Sequence, residues 1–318
     1  MTQKITNEHA THDPFKDNGF KSIKQSVMTS LNEVKTAMLG NRKVYPTKWG
    51  RLNNNLLGGL QPGKMYVIAG RPGVGKSAFS NQMIFDILDS NEDKNVLVLY
   101  WSFEMPGYQQ ILRAGSKGSN KQVSELLSVQ QKLTEAEYIR YRDEVIKYNH
   151  YPMYFNNIPR NMDFIKQANV DICNTHPKAT VINVFDHSRL ILSGKEQELQ
   201  KLNEISKGCM WMQAKMGCIN ILLSQLNRNI EQEHRAKAQY QPLLTDLFGG
   251  DSIGQDAHVV MMLQRPHDLY GITDLYCNED PVKLLACHVE KNRDGLLGMI
   301  PYEAEMSTFT INERIKIK

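Results

Sequence analysis

The chain has 318 residues, with 38 Lys and Arg against 34 Asp and Glu, 41% hydrophobic residues and 5 cysteines. That length suits one large domain or two modest ones, the apolar content excludes wholesale disorder, and a net charge of +4 does not mark a dedicated nucleic-acid binder, although a local basic patch stays open. No signal peptide opens the chain, no stretch is apolar enough to span a bilayer, and Cys173, Cys209, Cys218, Cys277 and Cys287 form no CxxC pair, so reduced cysteines, no membrane, no zinc site and a cytoplasmic location are expected.

Residues 1–20 are polar and read as a disordered tail. In the segment 21–44, Ile23, Val27, Leu31, Val34 and Met38 recur at helical spacing with Lys, Ser, Asn and Glu between them. This helix has one narrow apolar stripe, which packs either on its own domain or on a neighbouring copy of the chain. From Lys64 the pattern changes. Met65 to Ala69 is a short apolar run ending in a glycine-rich turn. Phe79, Met83, Ile84, Ile87 and Leu88 then follow at helical spacing, and residues 95–103 (NVLVLYWSF) form a second buried run. Strand, helix, strand is a βαβ unit. Thr134 and Glu137 form a capping box at the start of a helix reaching about Tyr148. Further apolar runs at 179–185, 218–224, 259–263 and 283–289 predict an α/β fold whose mostly parallel central sheet is flanked by helices. After Glu290, the turn Asp294-Gly295 separates two strand-like runs and predicts a closing antiparallel hairpin. The polar stretch from Asn227 to Tyr240 has no periodicity and reads as a mobile loop.

The chemistry centres on Gly70-Arg71-Pro72-Gly73-Val74-Gly75-Lys76-Ser77, followed by Ala78, which fits G-x-x-x-x-G-K-[ST] between a strand and a helix. Its glycines let backbone N–H groups wrap a phosphate, and the helix N-terminus adds positive potential. In this motif Lys76 reaches the β- and γ-phosphates of ATP, and the Ser77 hydroxyl ligates Mg²⁺. The buried strand ending at Asp186 offers a second magnesium anchor; the alternative is an aspartate that caps a turn. Glu104 ends another strand and is either the base that orients an attacking water or a surface residue. Gln225 likewise ends a strand, as a γ-phosphate sensor or a solvated end. Lys291-Asn292-Arg293 precedes the final hairpin and is otherwise a solvated basic turn. Arg228, Arg235 and Lys237 decorate the 227–240 loop, which either follows a nucleic-acid backbone or is an ordinary charged loop.

In this order, the pieces resemble the RecA-like motor domain of DnaB-type replicative helicases, over roughly Tyr45 to the C-terminus. The likeness begins with Leu52-Asn53 and Gly58-Gly59-Leu60-Gln61-Pro62-Gly63 and continues through the phosphate loop. It includes Trp101-Ser102-Phe103-Glu104-Met105, Asp186-His187 and Ser224-Gln225-Leu226-Asn227-Arg228. It extends through Leu244-Thr245-Asp246-Leu247, Ser252-Ile253 and Gln255-Asp256-Ala257 to Lys291-Asn292-Arg293-Asp294-Gly295. The resemblance implies a RecA-like P-loop NTPase over 45–318, with Glu104 as catalytic glutamate, Asp186 as the Walker B acid and Gln225 as the γ-phosphate sensor. It further implies that Lys291 and Arg293 reach into a neighbouring subunit's nucleotide site, and that the 21–44 helix docks on the adjacent subunit of a homo-hexamer moving 5′→3′ on single-stranded DNA. Primase and a helicase loader are the implied partners.

The sequence departs from that pattern at His187 and Arg189, where no catalytic group is lost, and in two places of more consequence. Only about forty residues precede the lead-in, fewer than a domain of ordinary size, so the chain resembles a short form such as some bacteriophages encode. Phe248-Gly249-Gly250-Asp251 stands where the family tends to carry an Arg-Glu pair, leaving Phe248 to stack on a base and the Gly249 and Gly250 amides to meet phosphates. Two other functions stay in view: a RecA-like DNA-dependent ATPase of recombination, repair or packaging, and a non-motor adaptor that joins a host helicase ring.

Overall fold

The computed structural model describes residues 19–91, 95–195, 197–248, 250–275 and 280–314, and the chain divides into two compact units, Met1–Lys43 and Val44–Lys318. In the first unit, helix α1 (Ile23–Met38) begins at Ser22. The Ser22 Oγ accepts from the Gln25 amide at 3.2 Å while Gln25 Oε1 accepts from the Ser22 amide at 2.7 Å, so two orphan donors are satisfied reciprocally. Ile23, Val27, Leu31, Val34 and Met38 are all exposed, together with Met28.

The second unit is built on strands β1 (Met65–Gly70), β2 (Val96–Ser102), β3 (Met153–Asn156), β4 (Thr180–Asp186), β5 (Ile219–Gln225), β6 (Val259–Gln264), β7 (Leu284–Asn292), β8 (Gly298–Glu305) and β9 (Thr310–Glu313). They form one sheet in the order β3-β2-β4-β5-β1-β6-β7-β8-β9. The first six in that order run parallel, and β7, β8 and β9 are antiparallel. The helices are α2 (Gly50–Asn55), α3 (Lys76–Ser90), α4 (Gly107–Ser119), α5 (Val123–Leu126), α6 (Glu135–Ile146), α7 (Met162–Thr175), α8 (Glu198–Met216), α9 (Gly250–Asp256) and α10 (Pro266–Tyr270).

This is the expected α/β architecture with two refinements. The run at 283–289 resembled the parallel strands in composition, because it too is buried on both faces. Its strand, β7, runs antiparallel to β6 and opens the closing hairpin, which β9 extends. Edge strand β3 escaped notice because four partly exposed residues carry no usable alternation. The Thr134 capping box is present, with Thr134 Oγ1 accepting from the Glu137 amide at 3.3 Å.

Alternate residues of the central strands feed two cores. Tyr66, Ile68, Val98, Tyr100, Ile182 and Val184 pack with Phe79, Met83 and Ile87 of α3. Val67, Leu99, Val181, Phe185 and Leu222 pack on the other face with Ile165 of α7 and Ile205, Cys209 and Met212 of α8. Layers on both faces explain why these strands read as continuous apolar runs. Cys173, Cys209, Cys218 and Cys287 are free thiols; burial raises the pKa of each. Cys277 lies outside the described residues.

Buried polar groups in the second core are paired in a ladder. Asn183 Oδ1 accepts from Trp101 Nε1 at 3.0 Å and from Asn169 Nδ2 at 3.1 Å. Asn183 Nδ2 donates to Asn169 Oδ1 at 2.8 Å and to Asn220 Oδ1 at 3.1 Å. The ladder ties β2, β4, β5 and α7 into one register, and removing its centre strands several buried groups. Asn183→Ala should destabilise the fold by roughly 3 kcal/mol, read as a lower midpoint in chemical denaturation; an unchanged midpoint would refute the ladder's role.

Candidate functional site

β1 ends at Gly70, and the chain turns through the phosphate loop into α3. Gly73 and Gly75 take φ of +78° and +104°, backbone that an L-residue adopts only under strain. A Cβ on Gly75 would also lie 2.7 Å from Met306 Cε. Parallel register sets the remaining residues beside this turn. Gly70 pairs with Gln225 on β5, and Ser102 at the end of β2 pairs with Asp186 at the end of β4. The carboxyl ends of β1, β2, β4 and β5 therefore converge, the place where open α/β sheets bind ligands.

Pro72, Gly73, Gly75, Lys76, Ser77 and Ala78 line one side of a cleft of about 290 Å³; Glu104, Asp186, His187 and Gln225 line the other, with Arg113, Met306 and Phe309 closing it. Of the residues singled out in the sequence, Lys76, Ser77, Glu104, Asp186 and Gln225 thus meet. The Lys76 ammonium donates to the carbonyls of Gly70 at 3.0 Å and Arg71 at 3.2 Å. Burial lowers its pKa to about 8, against the opposing pull of Asp186 and Glu104. Ser77 Oγ donates to Asp186 Oδ1 at 3.1 Å, and Asp186 Oδ2 accepts from the Tyr100 hydroxyl and from Gln110 Nε2, each at 3.4 Å. Burial raises the Asp186 pKa, while the Ser77 hydroxyl, Arg113 and Lys76 work against that shift. Glu104 stays largely exposed, its carboxylate 4.0 Å from His187 Nε2.

The Ser77 hydroxyl and the Asp186 carboxylate form a hard oxygen pair suited to Mg²⁺, which takes one or two protein oxygens and leaves the rest of its shell to water and phosphate. Among the described residues there is no group of three or more His, Cys, Asp or Glu able to hold a metal without such help.

Arg113 is a cleft residue that the sequence reading passed over. It sits on α4, behind Glu104, and its guanidinium lies 4.8 Å from the Phe309 ring centroid. Arg113, Ala78 and Phe309 also line a neighbouring cavity of about 380 Å³ beside α3. A cation on the helix that follows a strand-terminal acid was the available signal. Gln110 was missed for the same reason: both depend on how α4 lies across β2 and β4.

Lys291 and Arg293 lie elsewhere. Asn292 pairs with Val259, level with Tyr66 at the start of β1, so this turn is at the opposite end of the sheet from the phosphate loop. The strand length between, Tyr66 to Gly70, is roughly 13 Å. There Lys291 Nζ donates to the carbonyls of Gly254 at 2.7 Å and Gln255 at 2.8 Å, and Arg293 Nη2 donates to Gln255 at 2.8 Å. Both basic groups thus cap the carboxyl end of α9.

The stretch expected as a mobile loop, Asn227 to Tyr240, is tied down together with the residues that follow it to Asp246. Its neck is closed by the Leu226–Leu247 bridge, by the Phe248 amide donating to the Gln225 carbonyl at 3.0 Å, and by the Asn227 amide donating to Asp246 at 2.7 Å. Arg235 makes a bidentate pair with Asp246, both contacts at 2.9 Å. Gln264 Nε2 donates to the carbonyls of Gln239 at 2.7 Å and Tyr240 at 3.0 Å, and Tyr240 stacks on Tyr270. Periodicity analysis sees no such long-range tethers. Arg228 and Lys237 are exposed, whereas Arg235 is committed to Asp246. Phe248 packs partly buried against the second core. Gly249 lies outside the described residues, and Gly250 opens α9.

The sequence matches the profile of the DnaB-like helicase C terminal domain over residues 45–311. The chain belongs to that family. It is similar to the replicative DNA helicase DnaB of Rickettsia prowazekii, 26% identical over 94% of this chain and 65% of the relative. It is also similar to that of Geobacillus stearothermophilus, 25% identical over 88% and 59%. The chain therefore spans less than two thirds of the length of these curated relatives. Its fold matches solved structures described as "ATPase Domain of G40P" (TM-score 0.80, 19% identity, 92% of this chain and 99% of that one) and as a DnaB-like replicative helicase with its interactions with primase (TM-score 0.78, 19% identity, 92% and 67%). No helix among the described residues is long and apolar enough to cross a membrane.

With its pKa at about 8, Lys76 is charged below that pH and neutral above it. Affinity for a fluorescent nucleoside triphosphate should be flat below that point and fall by up to about tenfold per pH unit above it. In Lys76→Met this dependence should vanish; a profile shared by both proteins would remove Lys76 from phosphate binding.

Proposed function

We propose that this chain is an ATP-driven motor that moves on single-stranded DNA within a ring of copies of itself, as a replicative helicase. The observation that carries this reading is the division of the site between two ends of one sheet. Lys76, Ser77, Glu104, Asp186 and Gln225 meet at the carboxyl ends of the parallel strands, while Arg293 and Lys291 stand at the other end, out of reach of their own cleft. A cation so placed completes a nucleotide site only on a neighbouring copy.

In this reading the phosphate-loop amides and Lys76 hold the β- and γ-phosphates of ATP, and Ser77 and Asp186 hold Mg²⁺, which supplies charge neutralisation at the phosphates. Glu104, exposed beside His187, orients the attacking water. Gln225 reports the γ-phosphate, and Arg113 adds a half-buried positive charge from the same chain. Arg293 of an adjacent copy stabilises the charge of the transition state, and Lys291 accompanies it. Six subunits are the ring size proposed on the family likeness, with 5′→3′ movement. The exposed stripe of α1 offers each copy a surface for docking on the next. Arg228 and Lys237 face solvent on the tethered loop and are proposed to meet DNA phosphates, with Gly250 and Phe248 near its neck. Primase or a helicase loader is a proposed partner, and the cytoplasm the proposed site of action.

ATP hydrolysis measured with and without single-stranded DNA, across a protein titration, tests the core of this reading. Turnover should rise with both DNA and protein concentration, and Lys76→Ala should abolish it; hydrolysis indifferent to both would refute a ring motor. Arg293→Ala should bind ATP normally yet lose turnover, and should poison rings mixed with wild-type chain in proportion to its fraction. Activity in mixtures that is a simple sum of the two proteins would exclude a role in trans. Leu31→Asp in α1 should shift the assembled species toward smaller ones on sedimentation while leaving the monomer's circular dichroism unchanged.

A further inference from the structure

Arg71 belongs to the phosphate loop, yet its side chain leaves the cleft. Its Nη1 donates to the Leu226 carbonyl at 3.0 Å and its Nε to Glu231 Oε1 at 2.7 Å, with the guanidinium side chain only 16% exposed. Its own carbonyl accepts from the Lys76 ammonium at 3.2 Å. One residue therefore joins the phosphate-binding lysine, the backbone immediately after Gln225, and the first turn of the 227–246 segment.

That segment is braced throughout. The Arg235–Asp246 pair, the Gln264 contacts, the Tyr240–Tyr270 stack and the neck at Leu226–Leu247 brace it internally and against the sheet. Glu231 lies in the 3-10 turn Arg228–Glu231, beside the exposed Arg228, and Lys237 lies in the next turn. A pull on Glu231 or on the Leu226 carbonyl is thus delivered to the exposed cations instead of being absorbed by a slack loop.

The geometry points to Arg71 and Glu231 as a positioning pair that couples the phosphate cradle to the loop bearing Arg228 and Lys237. This inference rests on the reading of the chain as a DNA-driven motor. An ammonium has three donors, and two of those on Lys76 are aimed at the Gly70 and Arg71 carbonyls. Phosphate oxygens compete for the same ammonium, so the Arg71 peptide loses part of a hydrogen bond when phosphate is held and regains it on release. The planar guanidinium, held on two acceptors, transmits that reorientation with little rotamer slack. Linkage makes the effect reciprocal: DNA gripped by the loop changes the affinity for nucleotide by the factor by which nucleotide changes the affinity for DNA. Neither Arg71 nor Glu231 need touch DNA or the reacting phosphate for this to hold.

Glu231→Ala in the full chain separates coupling from catalysis, because Glu231 has no place in the cleft. The measurements are ATP hydrolysis with and without an oligo-deoxythymidine strand, and the strand's dissociation constant with and without a non-hydrolysable ATP analogue. Basal turnover and KM for ATP should stay within about twofold of wild type. The stimulation by DNA and the nucleotide-dependent change in DNA affinity should each fall at least about fivefold, with Glu231→Asp recovering part of both. A variant that keeps wild-type stimulation and linkage overturns the coupling role, as does one whose basal turnover falls together with the stimulation, since that is the mark of structural damage. A wild-type chain that hydrolyses ATP but ignores DNA overturns the motor reading itself, and the coupling with it.

Discussion

A carboxylate buried at the end of a strand sets the terms for everything around it. Asp186 is 3% exposed, and burial alone drives its carboxyl toward the neutral form. Donors are brought to it, the Ser77 hydroxyl from α3, the Tyr100 hydroxyl from β2 and the Gln110 amide from α4, and the Ser77 hydroxyl with the Arg113 and Lys76 charges opposes that drive. Those elements meet only if β2 and β4 pair in a register that sets Ser102 beside Asp186, and if α3 starts beside them. The cleft is therefore a property of the sheet, and the phosphate loop is one of its walls.

The same sheet separates the cleft residues from the basic groups of the closing hairpin. Parallel strands put their carboxyl ends on one side, so β1, β2, β4 and β5 deliver a loop, an acid, a second acid and an amide to a single cleft. β7 runs the other way and delivers Lys291 and Arg293 to the far side. Strand direction is thus what keeps these two basic groups out of their own chain's cleft, and it is this separation, with the exposed apolar stripe on α1, that supports the proposal of a site shared between copies.

Rigidity in the 227–246 segment has a physical origin in buried pairing. Arg235 and Asp246 are 12% and 2% exposed in their side chains, so their bidentate contact is shielded from solvent screening in a way that ordinary surface pairs are not. Buried charges must be paired, and the geometry that pairs these two also fixes the loop. Arg235 is consequently a brace for its neighbours Arg228 and Lys237, although all three look alike as charges in a polar stretch.

The phosphate loop, the strand and helix flanking it and the strand-terminal acids and amide were legible in the sequence. Their determinants are local: glycines where φ must be positive, apolar runs where both faces are covered, a capping box at Thr134. The antiparallel pairing of β7 with β6, the edge strand β3, the inward reach of Gln110 and Arg113 and the occupation of Arg235 by Asp246 were not. Each depends on which strands become neighbours, or on a contact between residues many positions apart, and no periodicity in a short window records that. By itself the sequence determined which polar and charged groups stand at the glycine-rich turn and at the strand ends. The tertiary structure alone decided which of them share a cleft, because pairing order and strand direction place side chains that the chain itself keeps far apart.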